Sequence, residues 1–285
     1  YYGMFHSVSA FCNAGFDLFG NSMQSFSQDF ITLFAISSLI ILGGLGFGVI
    51  TDITHFRKNR RLTFHSKMVI RVTLSLILIG WVFIFFTEYS NPQTLGSLSL
   101  GGKAISAYSS SVTTRTAGFE CVPTGLLRIP TLFLTIVLMF IGASPASTGG
   151  GIKTTTFGVV AATAFNLIKG RSETEVLKRR VAQETIISAM SIIFLAMMLI
   201  FVDTIILNFA DPDIGFLPTF FEAVSAFGTV GLSTGITPEL SWVSKLILII
   251  TMYAGRVGPM TVATALSSKV VSKTYRYAEE KILVG

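Results

Sequence analysis

The chain has 285 residues and a formal net charge of +6, and 51% of its residues are hydrophobic while only 13% are charged. Soluble domains usually carry ~25% charged residues, and the mean hydropathy here is +0.69. This composition excludes a soluble globular protein, and it excludes a disordered chain because there is ample apolar surface to bury. Two cysteines are too few for a disulfide scaffold. Two free thiols are expected, with a single Cys12–Cys121 bridge as the alternative.

Five apolar runs have about the ~20 residues that a membrane-spanning helix needs. In chain order they cover residues 30–53, 68–87, 130–168 with an interruption, 186–209 and 242–266. Basic residues cluster between runs one and two, between runs three and four, and after run five, so these segments are predicted to be cytoplasmic. This distribution indicates membrane topology and argues against a nucleic-acid partner. The alternate connections are acidic and are predicted to face outward, where they would concentrate cations.

Three of the outward segments contain a similar eight-residue motif with glycine at its seventh position, and we call each copy of this motif a phrase. The phrases are Ser-Ala-Phe-Cys-Asn-Ala-Gly-Phe at 9–16, Val-Thr-Thr-Arg-Thr-Ala-Gly-Phe at 112–119 and Ser-Ala-Phe-Gly-Thr-Val-Gly-Leu at 225–232. Their glycines, Gly15, Gly118 and Gly231, are 103 and 113 residues apart. Each phrase follows a short apolar segment of about ten residues, which as a helix covers only ~15 Å, half a bilayer. The repeat therefore predicts a unit of helix, half-helix, glycine loop and helix.

Re-entrant loops of this kind are tolerated at membrane depth only where they are buried or line water. Several of them converging on one axis would line a pore. Glycine permits unusual backbone conformations and leaves the carbonyl oxygens unobstructed, and rings of carbonyls replace the hydration shell of the ion in potassium filters. The predicted cation filter comprises the three residues that end at each glycine, with K⁺ bound at their backbone carbonyls: Asn13, Ala14, Gly15, Thr116, Ala117, Gly118, Thr229, Val230 and Gly231.

With these phrases the chain resembles the Trk/Ktr/HKT superfamily of potassium transporters, and within it the KtrB-type membrane subunits of bacterial Ktr systems. The resemblance to the Ktr proteins covers nearly the whole chain. It includes three further segments: Asn-Pro at 91–92, Thr-Pro-Glu-Leu at 237–240 and the residues at 280–285. It implies an all-α integral membrane protein with tandem helix–re-entrant pore loop–helix repeats around a pseudo-fourfold pore.

The family has four such repeats, and the resemblance divides this chain among three of them. Residues 1–53 match the pore loop and second helix of repeat two, 54–168 match repeat three with a broken second helix, and 169–285 match repeat four and a short cytoplasmic tail. Repeat one and the first helix of repeat two are missing. We expect them in an upstream part that this sequence does not include, with supply by another polypeptide as the alternative.

The third apolar run is interrupted by Pro145 and by three glycines at 149–151. Proline lacks a backbone N–H and each glycine disfavours helix by about 1 kcal/mol, so the helix is predicted to open near mid-membrane. Residues 149–154 hint at a phosphate-binding loop, but Ile152 separates the glycines from Lys153 and no predicted strand precedes them, which argues against a nucleotide site. Packing of small residues is the other alternative, and it fits the glycine cluster at 43–48 better.

In the resembled family this segment is an intramembrane loop that obstructs the pore beneath the filter. An arginine near the middle of the fifth run is expensive, because insertion at the bilayer centre costs at least ~2.5–3.5 kcal/mol. The resemblance places it facing the loop, where its five donors would hold loop carbonyls; a purely structural arginine is the alternative. The predicted gate is the segment 142–153 with this arginine: Gly142, Ser144, Pro145, Ser147, Thr148, Gly149, Gly150, Gly151, Lys153 and Arg256.

The predicted function is potassium uptake across a bacterial plasma membrane through a gated filter, driven by the membrane potential. No enzymatic activity and no organic cofactor are expected. The resemblance implies a homodimer with one pore per subunit, embedded in membrane lipid, on a cytoplasmic nucleotide-binding ring of the KtrA type. One alternative is a sodium-permeable or sodium-coupled transporter of the same superfamily. Another is an intramembrane enzyme, which would need a paired nucleophile and base, and the three histidines lie outside the apolar runs.

Overall fold

The computed structural model describes residues 1–171 and 173–258, without the side chains of 57–59. The predicted cytoplasmic tail and the end of the fifth run lie outside the described residues. Within them the chain forms ten α-helices and a two-stranded antiparallel sheet. These are α1 (Tyr2–Phe11), α2 (Phe30–Leu45), α3 (Phe47–Asn59), α4 (Phe64–Glu88), α5 (Leu100–Thr113), α6 (Ile129–Phe140), α7 (Thr154–Ile168), β1 (Glu175–Val176), β2 (Arg179–Arg180), α8 (Gln183–Ala210), α9 (Phe216–Gly228) and α10 (Trp242–Val257).

Several helices begin at a side chain that accepts hydrogen bonds from the first turn. Asp29 caps α2, Thr63 caps α4, Ser99 caps α5 and Ser241 caps α10. Such caps satisfy backbone N–H groups that have no partner within the helix. The starts of these helices therefore follow from local sequence chemistry.

Two of the described helices are long and apolar enough to cross a membrane, namely α4 with 25 residues and α8 with 28. A third span exists if α2 and the first part of α3 count as one bent segment, with an angle of 103° between them. The apolar run predicted over 30–53 therefore forms two helices that meet at a sharp bend. Gly46 has φ +88 at the bend, and the next amide, that of Phe47, donates to the Ala146 carbonyl at 3.0 Å instead of continuing the helix.

The third apolar run is interrupted where its proline and glycines predict. Helix α6 ends at Phe140 and α7 begins at Thr154, and a parallel bridge between Ile141 and Ile152 brings the two ends of the intervening segment together. We call residues 142–153 the connecting loop. It is a folded excursion between two helices, so its backbone groups require partners from elsewhere in the chain.

Three short helices, α1, α5 and α9, correspond to the predicted half-helices. They have 10, 14 and 13 residues, which at 1.5 Å per residue is about 15–21 Å, too short to span a bilayer. Helix α1 packs on α2; α5 packs on α4 and α2; α9 packs on α8, α10 and α6. Each half-helix is thus packed against at least one neighbouring helix, and α5 and α9 are the more buried of the three. Cys12 and Cys121 are free thiols, so the bridge that was the alternative is not formed.

Candidate ion-conduction site

The three predicted filter segments lie at the C-terminal ends of α1, α5 and α9. We call them the first glycine loop (12–16), the second (115–119) and the third (228–232). In every loop the glycine and the residue two positions before it have positive φ, and the residue between them does not. The values are 52° and 72° for Asn13 and Gly15, 63° and 77° for Thr116 and Gly118, and 50° and 90° for Thr229 and Gly231. Alternating signs of φ turn successive carbonyls toward one side, as a carbonyl-lined filter requires.

The glycine loops lie edge to edge, without room for a side chain between them. A Cβ built on Gly15 would be 2.5 Å from the Ala117 carbonyl oxygen and 3.3 Å from the Gly118 Cα. A Cβ on Gly118 would be 2.5 Å from the Val230 oxygen and 3.4 Å from the Gly231 Cα. The first loop therefore contacts the second, and the second contacts the third, through the same pair of positions. Only glycine fits both the space and the backbone conformation at these sites.

The opposite side of this arrangement is open. A cavity of ≈ 290 Å³ is lined by Ala14 of the first loop and by Thr229, Val230 and Gly231 of the third. Three consecutive loops thus surround part of an axis and leave a gap between the first loop and the third.

The helix ends around the glycine loops favour a cation. Helices α1, α5 and α9 all present their C-termini to the loops, and a helix C-terminus carries about half a negative charge from its unpaired carbonyls. Glu120 directly follows the second loop. Burial raises the pKa of this carboxyl, against the opposing hydrogen bond that the Thr124 hydroxyl donates at 2.7 Å. The three helix ends therefore attract a cation toward the glycine loops.

The connecting loop lies directly against the glycine loops. Its successive residues 148, 149 and 150 each face the first filter residue of a different loop. The Thr148 hydroxyl donates to the Asn13 Oδ1 at 2.9 Å. A Cβ on Gly149 would overlap the Thr116 hydroxyl, and a Cβ on Gly150 would overlap the Thr229 hydroxyl. The consecutive glycines therefore allow the loop to approach the base of all three filter segments.

Main-chain contacts with α2 and with Gly46, together with one side-chain hydrogen bond, hold the connecting loop in place. The Ser144 amide donates to the Gly44 carbonyl at 3.0 Å, and the Thr148 amide donates to the Gly43 carbonyl at 3.3 Å. The Ser147 hydroxyl donates to the Ser144 carbonyl at 2.6 Å. The Pro145 carbonyl lies against Gly46, where a Cβ would collide with it.

Three basic side chains satisfy carbonyls of the same loop. Lys153 Nζ donates to the Gly149 carbonyl at 2.8 Å, Arg115 Nη2 donates to the Gly142 carbonyl at 3.3 Å, and Arg256 Nη1 donates to the Thr148 carbonyl. The remaining predicted gate residue, Gly151, has φ +68. Unwound backbone at membrane depth needs such partners, so these cations stabilise the loop in its present conformation.

Arg256 lies at the C-terminal end of a helix. Helix α10 ends at Val257 with Gly258 at φ +98, so Arg256 belongs to its last turn. Its side chain is exposed among the described residues. The helix end is what allows the guanidinium to reach across to the connecting loop.

Four residues outside the predicted site also shape it. The Ser9 hydroxyl donates to the Phe16 carbonyl at 2.9 Å, and Ser225 donates to the Leu232 carbonyl at 2.6 Å, so each fastens its glycine loop back onto the half-helix. A Cβ on Gly43 would overlap the carbonyl of Phe11, the last residue of α1, and a Cβ on Gly255 would overlap the carbonyl of Phe227, one residue before the end of α9. A signal existed in the sequence, because each serine stands six residues before a loop glycine. The close approach of Gly43 to α1 agrees with the interpretation of the glycine cluster at 43–48 as a place where small residues allow helices to pack closely.

Comparison with known proteins places this geometry in a family. A family model described as "TrkH: Cation transport protein" matches residues 1–276. The chain belongs to this family. Its members are transporters and not enzymes. The long apolar helices α4 and α8 expose large hydrophobic side chains such as Phe86 and Phe209, as expected of a multi-pass integral membrane protein.

Three relatives are similar over almost the entire chain. The Ktr system potassium uptake protein B of Bacillus subtilis (strain 168) is 38% identical over 282 residues, which are 99% of this chain and 63% of the relative. The protein of the same name from Vibrio alginolyticus is 39% identical, covering 100% of this chain and 63% of the relative. The potassium/sodium uptake protein NtpJ of Enterococcus hirae is 37% identical over 100% of this chain and 64% of the relative. The chain therefore spans less than two thirds of their length.

A solved structure supports the fold independently. The crystal structure of the potassium transporter TrkH from Vibrio parahaemolyticus superposes with a TM-score of 0.76 at 17% sequence identity. The similarity covers 92% of this chain and 57% of that one. The helical architecture described above is thus the architecture of the TrkH family.

Proposed function

We propose that the protein to which this chain belongs conducts potassium ions across the membrane through a filter formed by the glycine loops. The observation that carries the proposal is the edge-to-edge contact of Gly15, Gly118 and their neighbours, with 2.5 Å between a would-be Cβ and the adjacent carbonyl oxygen. Such contact keeps carbonyl oxygens of successive loops together around one axis. A ring of this kind replaces the hydration shell of K⁺, which is the transported substrate.

We assign residues 1–53, 54–168 and 169–285 to three successive units of this pore. Three glycine loops leave the gap beside Ala14 and Gly231, and a fourth loop supplied by another part of the full protein would close the ring. The greater length of the relatives supports this assignment. Inward movement of K⁺ would be driven by the membrane potential, which contributes ~2.3 kcal/mol per charge per 100 mV.

The connecting loop and Arg256 are proposed to form the gate. The loop lies across the base of all three glycine loops through residues 148–150, and three basic side chains hold its carbonyls. An ion leaving the filter on this side would meet packed backbone and two positive charges, Lys153 and Arg256. Displacement of the loop would remove both the steric and the electrostatic obstacle.

A homodimer in membrane lipid, resting on a cytoplasmic nucleotide-binding ring of the KtrA type, is the proposed assembly. The two relatives named as protein B of a Ktr system support the existence of partner subunits. Co-purification of the full-length protein with such a ring, and the mass of the detergent-solubilised complex by light scattering, would test this. A monomer that binds no ring under any nucleotide would contradict it.

Sodium permeation is the second candidate function, because NtpJ is named as a potassium/sodium uptake protein. One experiment separates the two. The full-length protein is reconstituted in liposomes, and uptake of K⁺ and of Na⁺ is measured at a defined diffusion potential, with protein-free liposomes and the conservative helix-surface variant Gly101→Ala as controls. We expect potential-driven K⁺ uptake that exceeds Na⁺ uptake. Equal or greater Na⁺ uptake would favour the second candidate, and the absence of flux for either ion in correctly inserted protein would refute the proposal.

A further inference from the structure

A polar side chain in the first glycine loop connects two segments that are far apart in sequence. Asn13 Nδ2 donates to the Arg115 carbonyl at 3.0 Å, and Asn13 Oδ1 accepts from the Thr148 hydroxyl at 2.9 Å. The amide orientation is determined by its partners, since the Arg115 carbonyl can only accept a hydrogen bond. Asn13 therefore joins the first glycine loop to the second glycine loop and to the connecting loop at the same time.

Arg115 completes a second link between the same segments. Its side chain is buried, with 4% exposure, and its Nη2 donates to the Gly142 carbonyl at the start of the connecting loop at 3.3 Å. The main chain of Arg115 belongs to the second glycine loop, next to Thr116. One residue therefore connects the backbone of the filter directly to the backbone of the connecting loop.

The link is specific to one position of the pore. Thr116 and Thr229 occupy the positions equivalent to Asn13 in the other two loops, and their buried hydroxyls have no hydrogen-bond partner within residues 1–171 and 173–258. The Thr148 hydroxyl also lies 3.3 Å from the carbonyl of Phe11, the last residue of α1. Both contacts of this hydroxyl are thus with the first glycine loop and its helix.

We propose that Asn13, Arg115 and Thr148 are positioning residues that couple the connecting loop to ion selection in the filter. The inference rests on the proposed function and extends it, because the connecting loop then does more than obstruct the ion path. When the connecting loop is in place, the three side chains set the distance between the first and second glycine loops. Loss of these hydrogen bonds loosens the carbonyl ring, so selectivity falls even though no ion-binding carbonyl has been changed.

Thr148→Val tests the coupling, since valine keeps the shape of threonine and removes only the hydroxyl. In the full-length protein we expect the ratio of K⁺ to Na⁺ uptake to fall by about three- to tenfold, the range that one buried hydrogen bond supplies. Thr148→Ser, which retains the hydroxyl, should keep the wild-type ratio. Thr51→Val is the matched control, because the Thr51 hydroxyl is exposed and donates only to the Phe47 carbonyl of its own helix at 2.9 Å.

A double-mutant cycle separates coupling from independent effects. Asn13→Ser should lower the ratio, and Asn13→Ser with Thr148→Val should lower it by less than the two single changes added together, because the Asn13–Thr148 hydrogen bond is lost in each of them. Arg115→Lys should act in the same direction through Gly142, and it serves as the second probe if Asn13→Ser does not reach the membrane. A Thr148→Val protein whose flux changes at constant K⁺/Na⁺ ratio would overturn the inference while leaving the gate intact. Failure of the wild-type protein to carry K⁺ would instead refute the proposed function.

Discussion

Replacing Gly118 with alanine tests the filter assignment most directly. Gly118 has φ +77, and a left-handed conformation costs an L-residue roughly 1–2 kcal/mol. The new Cβ would stand 2.5 Å from the Val230 carbonyl oxygen, whereas ordinary contact begins at 3.4 Å, so the second and third glycine loops must separate by about 0.9 Å. A displacement of that size in a ring of coordinating oxygens is large compared with the differences that distinguish cations. We expect the K⁺/Na⁺ uptake ratio to fall at least about tenfold, equivalent to ~1.4 kcal/mol.

Two control variants separate strain from crowding in this experiment. Gly20 has φ +80 but no atom within 4 Å of a would-be Cβ, so Gly20→Ala carries the same backbone strain without touching the ring. Gly101 lies in α5 with open space around it, so Gly101→Ala carries neither. Uptake of K⁺ and Na⁺ should be measured in liposomes with full-length protein at matched incorporation. Unchanged selectivity of Gly118→Ala, or an equal loss in Gly20→Ala, would refute the reasoning.

Three further predictions concern the gate, the topology and a helix cap. Deleting residues 145–151 should raise K⁺ flux, because the loop that obstructs the path is removed. Arg256→Ala should also raise the flux, and Arg256→Lys should have an intermediate effect, because lysine keeps the charge but loses the planar guanidinium. Unchanged flux from correctly inserted protein would show that this segment is not a gate. A cysteine placed at the exposed position Glu173 should react only with reagents on the cytoplasmic side, and one at the exposed position Ser97 should react with reagents added outside. The opposite labelling pattern in intact cells would contradict the predicted orientation. Although burial opposes ionisation of Asp211, hydrogen bonds from the serines that begin α10 lower its pKa below 3.8. Asp211→Asn should therefore lower the melting temperature by about 2–4 °C at pH 7. The difference should shrink as the pH falls below 3.8 and be lost below the lowered pKa of the native carboxyl; a pH-independent difference would rule out a role for this charge.

Local sequence chemistry determined much of the architecture. The apolar runs predict the long helices α4 and α8, because a helix needs about 20 apolar residues to cross the hydrocarbon core of a bilayer. Three phrases around Gly15, Gly118 and Gly231 predict the half-helices and the loops that follow them. The break between α6 and α7 follows from a proline without an N–H and from glycines with low helix propensity. Each of these features depends on residues that are neighbours along the chain, so it can be read without knowing the fold.

Other features were decided only by the tertiary structure. The bend at Gly46 depends on the carbonyls of Pro145 and Ala146, and Arg256 meets the connecting loop only because α10 ends beside it. The link through Asn13 joins residues more than 100 positions apart, since Arg115 lies 102 positions and Thr148 135 positions further along the chain. Composition and periodicity report which face of a helix is apolar, but they carry no information about which distant carbonyl will face a given donor. That pairing is set by the packing of the helices against one another, because unwound backbone in a membrane must find its hydrogen-bond partners within the protein.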